Sequence, residues 1–192
     1  MDSDITATGV PSYFVVAVST ISGFAIAINT MLLFLIFKSP SARLTVYKYF
    51  FVAGALQSLI LALSILLLTP IPICAGSVYL HVPVGVASEW KIAQPLLFIL
   101  MTAFISTFIV VANDFVYRYI YFCRSHLLYL YSSTKWLLTL AAVNIAIIAN
   151  WNALIFNASN QSDKLREYKS ESLIKDYNID ITSKAFLGVS LK

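Results

Sequence analysis

Ile92–Arg118 reads IAQPLLFILMTAFISTFIVVANDFVYR, a run with no charge from Ile92 to Asn113 and then Asp114 and Arg118 one helical turn apart. A helix rises about 1.5 Å per residue and the hydrocarbon core of a bilayer is about 30 Å deep, so roughly 20 such residues cross it. Three more uncharged apolar stretches accompany it: Tyr13–Phe37, Tyr49–Ile73 and Trp136–Phe156. A soluble domain has no core large enough for four such helices in succession, joined by short basic turns. The expected fold is all-α, a polytopic transmembrane helix bundle.

Composition agrees. The chain is 59% hydrophobic and 11% charged, against about 25% charged in soluble proteins. A net charge of +4 in a soluble protein would suggest nucleic acid, but here the placement of the cations matters more. Lys38, Arg43 and Lys48 fall between the first two spans, and Arg118, Arg124 and Lys135 fall between the last two. The loop between the second and third spans has Lys91 balanced by Glu89, and the amino end has Asp2 and Asp4. Short Lys/Arg-rich loops stay in the cytoplasm. The expected topology is therefore extracellular 1–12, first span 13–37, inner loop 38–48, second span 49–73, outer loop 74–91, third span 92–117, inner loop 118–135, fourth span 136–156 and extracellular 157–192. Membrane lipids are the expected surroundings and no nucleic-acid partner is expected. The amino end opens with acid and has no small-residue cleavage site, so the first span is expected to be its own insertion signal.

Polar residues inside the spans need partners. Ser19, Gly23 and Ala27 form a small-residue stripe suited to close helix packing, and Asn29 lies near the same side. Gln57, Ser58 and Ser64 lie on the second span and Asn144, Asn150, Trp151 and Asn152 on the fourth. Thr102, Ser106 and Asn113 share one sector of the third. After the second span, Thr69-Pro70-Ile71-Pro72 calls for extended backbone or a turn. The apolar loop that follows is expected to lie along the membrane surface. Residues 157–192 are polar with alternating charge, and no helix is assigned there. They hold two glycosylation sequons, Asn157 and Asn160, both close to the membrane, where transferase access is poor.

No enzyme signature is present. His81 and His126 fall on opposite faces with no metal-ligand partner one turn away, and there is no phosphate loop, nucleophile elbow or paired carboxylate. No cofactor is expected. Cys74 and Cys123 also fall on opposite faces, beyond the roughly 7 Å between α-carbons that a disulfide allows. The uncharged centres of the spans argue against ion-coupled transport. Asp114 and Arg118 have two readings: a boundary anchor, with Tyr117, Tyr119 and Tyr121 at headgroup depth, or a lock whose arginine turns from its own helix toward a cytoplasmic partner.

The run Asn113-Asp114-Phe115-Val116-Tyr117-Arg118-Tyr119 resembles the F-x-Y-R-Y segment of nematode seven-transmembrane chemoreceptors, the Str superfamily that includes the diacetyl odorant receptor. Ser22-Gly23-Phe24 with Asn29-Thr30-Met31-Leu32-Leu33 is similar to that family's first helix, and Tyr47-Lys48-Tyr49-Phe50 to its entry into the second. Leu165-Arg166-Glu167 through Tyr177-Asn178-Ile179-Asp180 is similar to its second outer loop. The resemblance implies a chemosensory G-protein-coupled receptor of the plasma membrane, often at sensory cilia. It would bind a small odorant and activate a heterotrimeric G protein.

On that resemblance Arg118, with Asp114 and Tyr119, would face the G protein. Thr102 and Ser106, by helix phase, would face the ligand. Tyr117 stands where rhodopsin-like receptors carry an acid next to the arginine, and Asp114 comes a full turn earlier. The four spans are those of the first four helices of such a receptor, so a form truncated after the fourth helix is expected. The alternatives are a non-signalling form that associates with other receptors of the family and a stand-alone four-helix membrane protein, an adhesion component or accessory subunit.

Overall fold

The computed structural model describes residues 12–38, 45–75, 78–89, 91–177 and 186–190. Four long helices dominate: α1 (Ser12–Lys38), α2 (Thr45–Leu68), α3 (Ala93–Cys123) and α5 (Thr134–Tyr177), with the one-turn helix α4 (Tyr129–Ser132) before α5. Each long helix holds a segment apolar enough to cross a bilayer: Ser12–Lys38, Lys48–Leu68, Ala93–Cys123 and Thr134–Asn157. Helix α1 packs on α2, α2 on α3, and α3 on α5. Large side chains such as Phe24, Phe34 and Phe108 stand exposed on the outer faces. The molecule is a helical transmembrane bundle.

Local chemistry sets the helix limits. Pro95 is tolerated in the first turn of α3, where its missing N–H has no intrahelical acceptor anyway. From Thr134 to Tyr177 there is no Gly or Pro, and α5 runs straight through the residues for which no helix was expected. The second helix stops earlier than Ile73. Pro70 disfavours helical backbone at the residue before it, and Thr69 takes a left-handed φ of 40°, uncommon for a β-branched residue. The extended backbone expected after Thr69 is present as β1 (Pro70–Ala75). The third helix continues past Tyr117 to Cys123, so Arg118 lies within it rather than in a loop.

The apolar stretch after the second span folds as a hairpin. Strand β1 pairs antiparallel with β2 (Val78–Pro83), and β2 pairs with β3 (Leu187–Ser190), leaving β2 central in a three-stranded sheet. Ile73 faces Leu80 across one ladder, and Leu80 faces Gly188 across the other. Pro70 and Pro72 sit on the edge strand, where a missing donor costs no ladder bond. A β carbon at Gly188 would meet the end of the Leu80 side chain, which would have to turn aside. After the hairpin, Gly85 donates its N–H to Leu68 O at 2.8 Å, and a β carbon at Gly85 would overlap the Leu67 carbonyl oxygen.

Buried side chains gather at the two ends of the bundle. Leu68, Ala87, Ala93, Leu97, Leu100, Ile155 and Leu187 form the cluster at the sheet end. Tyr117, Ile120 and Tyr131 form the other, with Phe50, Leu127, Leu128 and Leu140 packed on it. Lys38, Lys48, Arg118, Arg124 and Lys135 all fall at that second end, because the chain reverses direction at each connection. Lys38 Nζ lies 5.8 Å from the Phe34 ring centre and Lys48 Nζ 5.9 Å from that of Phe37.

Candidate functional site

The polar side chains of the spans fall into two classes. One class bonds within its own helix, as lipid offers no other partner. Ser64 donates to Ile60 O at 2.8 Å, Asn29 Nδ2 to Ala25 O at 2.8 Å and Asn113 Nδ2 to Ile109 O at 2.9 Å. The other class joins helices. Gln57 Nε2 on α2 donates to Ala103 O on α3 at 2.6 Å. Thr102 Oγ1 on α3 lies 2.6 Å from Asn152 Oδ1 on α5 and 2.8 Å from its own helix at Phe98 O. Its single proton serves one of these acceptors at a time.

These two interhelix bonds border a cavity of about 610 Å³ between α2, α3 and α5. Gln57, Thr102, Ser106 and Asn152 supply its polar wall, and Ile60, Phe98, Ile99 and Phe156 most of its apolar wall. The Ala103 carbonyl also receives Ser106 Oγ at 3.1 Å and Thr107 Oγ1 at 2.9 Å. Three donors therefore converge on an oxygen with two lone pairs. Among the described residues no ionisable side chain lines this space.

Farther along α3, Arg118 Nη2 meets Asp114 Oδ2 at 2.7 Å. Asp114 borders a second cavity of about 200 Å³ with Asn29, Phe50, Gly54, Ser58 and Val110. Beside the pair, the Tyr117 ring lies 5.1 Å from Phe50 and 4.9 Å from Tyr131, the latter edge-on at 82°. Tyr131 thereby fastens the connection between α3 and α5 to the bundle. Burial pushes the Tyr131 phenol up from its ordinary value, with Tyr117 adding to the rise. Tyr119 is exposed on the opposite side of α3 from buried Tyr117 and Ile120.

The structure thus brings Thr102 and Ser106 to one cavity, and Asp114 into contact with Arg118. The contact face of α1 lies one residue from the small-residue stripe: Ser22 is buried, while Gly23 is exposed with nothing within 4 Å of the space a β carbon would take. Ser19 is half-buried, and Asn29 reaches the smaller cavity while bonding within α1. Asn157 is exposed on α5; the Asn160 side chain lies outside the described residues. Gln57 and Asn152 had been noted only as polar residues of their spans, since sequence spacing does not say which amides face one another across helices. Among the described residues no group of His, Cys, Asp and Glu is placed to hold a metal ion.

A bundle of membrane-crossing helices with a mostly apolar cavity between them and an Asp–Arg pair at the basic end of the third defines a multi-pass membrane protein. Residues 15–192 match the family described as serpentine type 7TM GPCR chemoreceptor Str, and the chain belongs to that family of chemosensory G-protein-coupled receptors. No curated protein and no solved structure matches it. The family is one of receptors and is generally non-enzymatic.

Proposed function

We propose that this chain detects a small environmental molecule in the cavity between α2, α3 and α5 and passes the signal along α3 to a heterotrimeric G protein at Arg118. The observation that carries this reading is the sharing of α3. Thr102 and Ser106 border the cavity, and the same helix ends in the Asp114–Arg118 pair. A rotation or shift of α3 that accommodates a ligand also moves the pair. In the resting state Asp114 restrains Arg118, and in the active state the guanidinium turns toward the G protein. Tyr119 lies beside it on the exposed face.

The basic end faces the cytoplasm in this reading, because Lys38, Lys48, Arg124 and Lys135 cluster there with Arg118. The amino terminus and the sheet then face outward, and the plasma membrane is the site of action. The test is Arg118→Ala in cells carrying a G-protein reporter. Ligand-dependent activation disappears while surface expression persists; unimpaired signalling removes Arg118 from the role.

A further inference from the structure

The groups that would meet a molecule in the larger cavity are the spare atoms of two amides already committed to holding helices together. Gln57 uses an N–H on Ala103 O, which leaves its Oε1 outside that bond. Asn152 accepts the Thr102 proton at Oδ1 when that proton is not on Phe98 O, which leaves Nδ2 outside that bond. Ala103 and Thr102 are consecutive residues of α3, so the two amides, one from α2 and one from α5, bond to neighbouring positions on that helix. The cavity therefore has an amide acceptor and an amide donor among its lining residues. The rest of the wall is apolar, from Ile60, Phe98 and Phe156.

We infer that the cavity selects an uncharged ligand carrying a hydroxyl group, with Gln57 and Asn152 as the specificity-determining residues. This rests on reading the cavity as the ligand site. A hydroxyl donates and accepts at one atom, so it gives its proton to Gln57 Oε1 and takes an N–H from Asn152. A ketone takes the Asn152 N–H but leaves half-buried Gln57 Oε1 facing an apolar or unmatched group, and an acceptor taken out of water without a donor is unfavourable. An ammonium or carboxylate loses its hydration and finds no counter-charge, because among the described residues no ionisable side chain lines the cavity. Both amides also fix helix positions, so a hydroxyl that engages them bears directly on the α2–α3 and α3–α5 contacts.

The experiment measures saturable binding of hexanol, methyl butyl ketone and hexylammonium to the chain in lipid nanodiscs by ligand-detected magnetic resonance. Ala153→Trp, whose indole fills the cavity, supplies the background, since Ala153 lines that space. Hexanol binds about tenfold more tightly than the ketone, the ratio of one hydrogen bond made or left unmade, and hexylammonium does not bind above background. Gln57→Leu collapses the difference between hexanol and ketone, and Asn152→Leu weakens both. Equal affinities, a difference that survives both substitutions, or binding of hexylammonium overturns the assignment. If no probe exceeds the Ala153→Trp background, the ligand-site reading itself falls and the selectivity with it. Should Gln57→Leu fail to fold, the Asn152→Leu arm still decides.

Discussion

Arg118 holds Asp114 one turn earlier on α3 with 2.7 Å between Nη2 and Oδ2, yet the two side chains differ in setting: Arg118 is 46% exposed and Asp114 24%. The carboxylate faces inward toward the cavity that Asn29 and Ser58 also border, while the guanidinium is half in the open. An i, i+4 ion pair on a helix contributes only about 0.3–0.5 kcal/mol. So weak a contact is easily exchanged for another partner, which suits a restraint better than a structural tie.

Asp114→Asn should therefore leave folding almost untouched, with a loss below about 0.5 kcal/mol by the same reckoning. It should raise ligand-independent activation in the G-protein reporter. Basal signalling equal to the unsubstituted chain would show that Asp114 restrains nothing.

Tyr131 tests the fastening of the α3–α5 connection. Its ring meets Tyr117 at 4.9 Å and Phe50 at 6.4 Å, both edge-on, and such pairs contribute about 0.5–1.5 kcal/mol each. Tyr131→Ala should speed amide exchange over residues 125–133, and Tyr131→Phe should leave it near normal. Because burial raises the Tyr131 pKa, the folded state favours the neutral phenol. The docking is complete below the ordinary value of about 10 and weakens as pH rises through the raised one. Exchange that is the same in Tyr131→Ala and Tyr131→Phe would remove the ring contacts as the fastening.

Two glycines should respond in opposite ways. Gly85→Ala drives a β carbon into the Leu67 carbonyl, an overlap with backbone expected to cost about 1–3 kcal/mol and to lower the melting temperature. Gly23→Ala meets open space on a helix and should be neutral or stabilising by up to about 1 kcal/mol. Melting curves in detergent read both, and a destabilised Gly23→Ala would return Gly23 to a helix contact.

His81 should make the sheet sensitive to acid. It lies on the central strand opposite Pro72 and Leu187, with the Tyr79 ring edge-on at 4.8 Å. Its buried Nδ1 has no hydrogen-bond partner among the described residues. Burial lowers its pKa from the ordinary 6.5, so the fold favours the neutral ring. The stability of the sheet is whole above that ordinary value and declines as pH falls toward the lowered one. Protection of the β2 amides relative to their intrinsic exchange rate should fall on acidification, and His81→Phe should abolish that fall; an unchanged response in that variant would place the sensitivity elsewhere.

The spans were legible because lipid imposes a length and an absence of charge that can be counted residue by residue. The extended backbone after Thr69 was legible because Pro70 and Pro72 restrict their neighbours locally. The limit of α5 was not: charges and sequons read as a polar segment, yet nothing between Phe156 and Tyr177 breaks a helix, and α5 runs on. Strand β3 was equally hidden, since its pairing with β2 joins residues about a hundred positions apart and no local pattern encodes that register.

The amino-acid sequence by itself determined the bundle, its basic end and the turn-spaced Asp114 and Arg118, because each follows from helix periodicity and from the cost of charge in lipid. Only the tertiary structure decided that Gln57 reaches Ala103, that Thr102 reaches Asn152, that Tyr131 docks on Tyr117, and that Ser22 rather than Gly23 is buried. Those pairings depend on how each helix is rotated against its neighbours, and that angle is set by packing of whole faces, which no single helix contains.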